Sequence, residues 1–520
     1  MSADKSNTGG NGKLLKTAGT VGGWTLVSRV LGFVRDILLA RVLGAGLLSD
    51  AFFVAFKLPN FFRRMFAEGT LTVALVPVLA DERQQGEEAA HDFLNALAGL
   101  LLLAVLVFTI LGMLFMPFLL LVFAPGFHDE PERWDQTLLL AQWMFPYMAM
   151  ISLAAMAWAV LNTYRKFAVA AASPALLNIS LIFAAIVLAP SFDNPALALA
   201  IGVLGGGALQ LGIQFPALKR IGWLPKPTWN FRNPSVIRTL RLFGPAVVGV
   251  AAVQINILAG TILATLLPVG AVSYLYYSDR IVQLPLALFG IAMGTALLPT
   301  LSAHFSNQQT SAALNELRQG LSWLAWITLP AMLGLLLLAE PIIITLFEHG
   351  RFTHTASIAT AHTLQAYALG LVAFCWARVL STACYAEQDA KTPMRYAAIS
   401  VAANIIMAVI LMWPLGYIGL ALATSLASIV NVGLLLTHLR KKHARLLDSV
   451  SLKRMARAVA ACIPMLLLLL GIDYFWAFPE HEKVSQIIWL TVSITGGILV
   501  FFVAARLMGE RLDTFRTTGG

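Results

Sequence analysis

Three charged residues interrupt the run "WTLVSRVLGFVRDILLARVLGAG" near the start of the chain: Arg29, Arg35 and Asp36. Each charge at a bilayer centre costs about 2.5–3.5 kcal/mol on insertion scales, so a helix that keeps three has a use for them. Arg29 and Asp36 are seven residues apart, nearly two full turns, and Arg35 lies one step round from Asp36. A second charged stripe runs through "DAFFVAFKLPNFFRRMFAEG". There Asp50, Lys57, Arg64 and Glu68 recur at spacings of seven, seven and four, with Arg63 beside Arg64 and Pro59 placed to bend the helix. Asp279 and Arg280 follow "SYLYYS" further on. Arg29, Arg35, Lys57, Arg63, Arg64 and Arg280 make six cations; Asp36, Asp50, Glu68 and Asp279 make four anions. Pairing within the set would lock helices, but two positive charges are in excess, which points to a wet cavity for an anion. Arginine, permanently charged and fork-shaped, suits phosphate oxygens because it can bond two of them at once.

The elements that carry these charges are membrane helices. The 520-residue chain is 58% hydrophobic and 12% charged, with mean hydropathy +0.78. Soluble proteins carry about 25% charged residues, so the composition predicts an all-α, polytopic membrane protein. Fourteen spans are expected: 16–42, 50–80, 92–122, 136–163, 168–190, 195–219, 236–266, 271–303, 312–339, 355–386, 392–413, 416–439, 453–476 and 485–508. Alternate connections are rich in Lys and Arg, as in "RKKHARLLDSVSLKRMAR", and the intervening ones are poor in them, as in "APGFHDEPERWD"; Arg351 in "EHGRFTHT" is the exception. The positive-inside rule then puts both termini in the cytoplasm. It also explains the net charge of +10 without nucleic acid as a partner.

Other chemistry finds little support. Cys375, Cys384 and Cys462 sit in apolar segments, with neither disulfide nor metal spacing. "GVLGGG" at 202–207 lies within a span and reads as close helix packing. His128, His349 and His354 fall in connections and read as solvated, and no nucleotide-binding, HExxH or nucleophile-elbow motif occurs, so no enzyme is expected. A cation carrier would need carboxylates, whereas spans 7, 11 and 12 offer only Gln254, Asn256 and Asn404, which leaves a sodium site built from neutral oxygens.

Two halves repeat. "PALLNISLIFAAIVLAPSFDNPALALAIGVLGGGALQLGIQFPALKR" and "AAISVAANIIMAVILMWPLGYIGLALATSLASIVNVGLLLTHLRK" share an early Asn (Asn178, Asn404), a Pro at the turn (Pro190, Pro414), a small-residue helix and a basic exit. Six spans per copy give a parallel repeat, with a substrate site expected where the halves meet. The expected organisation is a disordered cytoplasmic stretch 1–15, an N-lobe 16–221, a linker 222–235, a C-lobe 236–442, two further helices within 443–508, and a cytoplasmic tail 509–520.

The stretches "SRVLGFVRD", "DAFFVAFKLPNFFRRMFAEG", "YYSDRIVQLPLALFGIAMGTALLPTLS" and "LFEHGRFT" resemble the MurJ (MviN) family of lipid II flippases, in the exporter superfamily that also holds the MATE transporters. The resemblance covers residues 14–510 and implies two six-helix lobes in a V, with two extra helices grooved for a polyprenyl tail. It implies export of undecaprenyl-pyrophosphate-linked peptidoglycan precursor across the bacterial inner membrane, or of another polyprenyl-linked oligosaccharide. The implied partners are lipid II, membrane lipids and cell-wall synthesis proteins, with the flippase acting as a monomer. Important family positions fall on Arg29, Arg35, Asp36, Asp50, Arg63, Arg64, Glu68 and Arg280, with Asp279 beside them. The acidic sodium ligands of some relatives are missing here, so no cofactor is expected.

Overall fold

The computed structural model describes residues 8–66, 70–443, 446–479 and 482–510, and all their regular structure is helical. In chain order the helices are α1 (Thr8–Leu43), α2 (Leu47–Phe66), α3 (Thr70–Gln85), α4 (Glu87–Leu114), α5 (Met116–Phe123), α6 (Pro131–Met144), α7 (Tyr147–Thr163), α8 (Phe167–Phe183), α9 (Pro195–Gly212), α10 (Gln214–Arg220) and α11 (Pro234–Thr265). They continue as α12 (Ala271–Pro285), α13 (Ala292–Ser306), α14 (Thr310–Leu337), α15 (Ala339–Phe347), α16 (His354–Ala368), α17 (Leu371–Ala386), α18 (Lys391–Lys442), α19 (Ser449–Phe475) and α20 (Lys483–Leu507). Two compact units result: one runs to Val272 and includes His349–Phe352, and the other holds Ser273–Glu348 and everything from Thr353.

Within the first unit, Leu75, Val78 and Leu79 of α3 pack with Phe93 and Leu94 of α4 and Val160 and Leu161 of α7. The glycines of α9 let it press on α8. A Cβ on Gly202 would stand 2.6 Å from that of Ala184, and one on Gly206 would stand 2.6 Å from Leu177, so small-residue packing is what "GVLGGG" provides. Ser180 Oγ donates across the same seam to Gly202 O at 2.7 Å. Outward faces stay apolar: Leu106, Ile110, Leu114 and Phe118 are all exposed, as hydrocarbon-facing helices require.

In the second unit, α18 contains the expected spans 11 and 12. Its backbone breaks at Gly416 (φ 56°, ψ −133°), a conformation essentially confined to glycine. The chain folds back there, so that a Cβ on Gly419 would lie 2.2 Å from Leu411 O, while Ser400 Oγ donates to Ala427 O at 2.8 Å. The expected span 50–80 likewise comes as two helices, α2 and α3, on either side of residues 67–69, which lie outside the described residues.

Among the described residues, nine helices are long and apolar enough to cross a membrane, or ten if α16 and α17, bent by 40°, form one span. Neither α1 nor α2 is among them. In α2, Asp50, Lys57, Arg63 and Arg64 occupy a 20-residue helix and lower its apolarity. The charges that suggest function are thus the same ones that hide a span from a hydropathy criterion.

Candidate substrate-binding site

On α1, the Arg35 guanidinium holds the Asp36 carboxylate from Nη2 at 2.7 Å and from Nε at 3.0 Å. Its other arm donates to Asn178 Oδ1 of α8 at 2.9 Å, and Asn178 Nδ2 donates back to Ser28 O at 2.9 Å. Gly32, one turn below Asp36, faces Asn178: a Cβ there would stand in ordinary contact, 3.5 Å from Asn178 Nδ2. Asp36 and Asn178 are buried while Arg35 is half-buried, so the fork is fixed in orientation by a charged and a neutral acceptor. Arg29, two turns earlier, is exposed.

On α2, Lys57 Nζ donates to Thr261 Oγ1 of α11 at 3.2 Å, and Arg63 Nε donates to Asn60 Oδ1 at 3.2 Å. Asn60 is itself anchored by Nδ2 on Phe56 O at 2.8 Å, in the turn bent by Pro59. Arg64, next to Arg63, is exposed. Glu68 lies outside the described residues. In the second unit, the Arg280 guanidinium sits over the Tyr276 ring at 4.6 Å, a cation–π arrangement, and Gln283 Nε2 donates to Asp279.

Asp50 behaves differently from the other charges. It is fully buried, and its Oδ2 accepts from Arg133 Nη2 of α6 at 2.7 Å and from the backbone N–H of Gly270 at 2.7 Å. Arg133 is equally buried, stacks 3.8 Å over Phe127, and also donates from Nη1 to Leu267 O at 3.3 Å. Asp50 thus ties the N-terminal end of α2 to the start of α6 and to the turn between α11 and α12. Sequence reasoning missed Arg133 because "PERWD" stands in a basic-poor connection and reads as solvent-facing. The signal was available from the other side: a carboxylate at the start of an apolar helix needs a partner. Asn178 was visible only as a mark of the repeat.

Among the described residues, no group of three or more His, Cys, Asp or Glu could hold a metal ion. On α1 and α2, Arg35, Lys57 and Arg63 are each held by a hydrogen bond to a neutral oxygen.

Comparison with known proteins gives this arrangement its context. A sequence model described as "Lipid II flippase MurJ" matches residues 39–486. The chain belongs to the MurJ family. It is 36% identical to a probable lipid II flippase MurJ of Vibrio cholerae over 513 residues, covering 97% of this chain and 98% of that one. It is 39% identical to a probable MurJ of Rhizobium meliloti over 518 residues, covering 97% and 96%. A solved structure of a lipid II flippase MurJ in an inward closed conformation matches with a TM-score of 0.78 at 28% identity, covering 95% of this chain and 99% of that one. A MATE-family multidrug resistance transporter shares the fold alone, with a TM-score of 0.64 at 14% identity, covering 81% and 95%. The MurJ match spans α2, α6 and α8, so it takes in Arg133 and Asn178 together with Asp50, Arg63, Arg64, Glu68, Asp279 and Arg280, while Arg29, Arg35 and Asp36 precede it.

Proposed function

We propose that this membrane protein is a transporter that moves lipid II from the cytoplasmic to the periplasmic leaflet for peptidoglycan synthesis. The observation that carries the reading is the full-length match to MurJ relatives by a chain whose α1 and α2 hold oriented cations. In this reading Arg35, Arg63 and Arg280 contact the pyrophosphate, and Arg29 and Arg64 widen the positive field. Asp36, Glu68 and Asp279 orient the cations, and Asp50 does so at one remove by fixing the helix that bears Lys57, Arg63 and Arg64. Transport proceeds by alternating access of lobes 16–221 and 236–442, joined by the linker 222–235, with no bound ion required. The chain crosses the inner membrane fourteen times, both termini are cytoplasmic, the tail of the lipid lies along α19 and α20, and one copy suffices. Arg35→Ala, Arg63→Ala and Arg280→Ala should each abolish or strongly reduce lipid II export in cells at normal protein level; normal export in all three would overturn the assignment. Native mass spectrometry with lipid II and other polyprenyl-linked sugars tests the cargo: equal binding of all of them would make this a general polyprenyl-sugar flippase.

A further inference from the structure

The second unit holds a cavity of about 320 Å³ between α14, α19 and α20, lined by none of the charged residues discussed above. Trp323 and Trp326 of α14 and Phe502 of α20 form its apolar wall, and Arg454 of α19 and Arg506 of α20 stand at its rim. Glu510 bridges the rim, accepting from Arg454 Nε at 3.0 Å and from Arg457 Nη1 at 3.4 Å. Arg454 and Arg506 against Glu510 leave the lining with a formal charge of +1, and Arg457 adds a further cation beside it. Trp326 is only 9% exposed, packs on Phe501 at 5.5 Å between ring centroids, and has its indole N–H buried with no acceptor among the described residues. A buried donor with no acceptor is costly, and in a cavity edged with cations it calls for an oxygen-bearing anionic ligand.

We infer that this cavity binds the phosphodiester headgroup of an anionic membrane phospholipid. The rim arginines take the phosphate oxygens, and the indole N–H takes a headgroup or ester oxygen. A soluble anion would have no use for the aromatic wall. The acyl chains would instead continue along the exposed apolar side chains of α20 that neighbour Phe502 and Arg506 on the helix, Leu499 and Val503. The basic rim lies where α19 begins and α20 ends, which the basic connection 440–457 places at the cytoplasmic surface, where anionic headgroups are concentrated. The inference does not depend on lipid II being the cargo.

The test is native mass spectrometry of the full-length protein titrated with phosphatidylglycerol, with phosphatidylcholine and glycerol 3-phosphate as separate probes. One phosphatidylglycerol should bind saturably. Arg454→Ala with Arg506→Ala should weaken it at least tenfold, and Trp326→Phe, which keeps the ring but loses the N–H, should weaken it several-fold. Arg440→Ala, on α18 and outside the cavity, should leave binding unchanged, and wild-type melting temperatures would confirm that the variants fold. Equal affinity in the double arginine variant overturns the inference. So does equal binding of phosphatidylcholine, which would mark an apolar cleft, or full displacement by glycerol 3-phosphate, which would mark a soluble-anion site. Loss of lipid II binding with phosphatidylglycerol binding intact would strike at the proposed cargo and leave this site standing.

Discussion

Removing Arg133 should damage this protein more than removing Arg29, although Arg29 lies in the charged membrane helix and Arg133 at a helix start. Arg133 and Asp50 are both 0% exposed and meet at 2.7 Å, whereas Arg29 is exposed. Arg133→Met would leave the Asp50 carboxylate buried with the Gly270 N–H as its remaining donor of the two. Breaking one side of a buried pair costs about 3–5 kcal/mol, and replacing both sides with apolar groups of similar size is near neutral. Asp50→Leu alone should therefore also be costly, while Asp50→Leu with Arg133→Met should recover most of the loss. The coupling in a double-mutant cycle should then exceed about 4 kcal/mol, since two single losses of about 3–5 kcal/mol each would add to about 6–10 while the double variant loses little. Reversible unfolding in mixed micelles reads it directly. Because the pair fixes the turn between α11 and α12 and carries no exposed charge, the double variant should bind lipid II with wild-type affinity while exporting it more slowly. Single variants that each cost less than about 1 kcal/mol, or a cycle without coupling, would refute the reasoning, since a buried pair cannot be cut for so little.

Four further outcomes are expected. Asn178→Ala should weaken lipid II binding and leave Arg35→Ala little more to lose, measured by affinity in the single and double variants. Gly416→Ala should lower the melting temperature, because φ 56°, ψ −133° strains any residue with a Cβ by about 1–3 kcal/mol. Hydrogen bonds from Ser451 hold the Asp448 carboxyl below its ordinary value; a depressed pKa gives stability that is full above the unfolded-state value and lost as pH falls through the folded one. Stability should therefore drop on acidification below about pH 4, and Asp448→Asn should shrink that drop, read as melting temperature against pH. Collapsing the membrane potential should slow export, since each negative charge moved outward gains about 2.3 kcal/mol per 100 mV; unchanged export under an ionophore would remove the potential from the mechanism.

The helical architecture was legible from hydropathy because apolar runs of sufficient length have few alternatives in a bilayer. The turn at Gly416 was legible in outline from Pro414, although a single helix assignment runs through it. The orienting partners were not legible. Asn178 stands 143 residues from Arg35, and Arg133 stands 83 residues from Asp50; periodicity reports which residues share a helix face and is silent about which faces meet. A hydropathy criterion also passes over α2, because the charged residues proposed to serve the substrate are those that make it least apolar.

The charge count that first pointed to an anion holds once the partners are known. Arg133 adds a cation and Glu130, 3.5 Å from its Nη1, adds an anion, so the excess stays at two. Asp50 is bonded to Arg133 and to a backbone N–H, so its charge is spent on holding the fold together. Three of the remaining cations are also steered by neutral oxygens: Arg35 by Asn178, Lys57 by Thr261 and Arg63 by Asn60. A neutral acceptor fixes where a cation points without cancelling its field, whereas a carboxylate does both. Arg35 uses both kinds of partner, the Asp36 carboxylate on one side of the guanidinium and the Asn178 amide oxygen on the other.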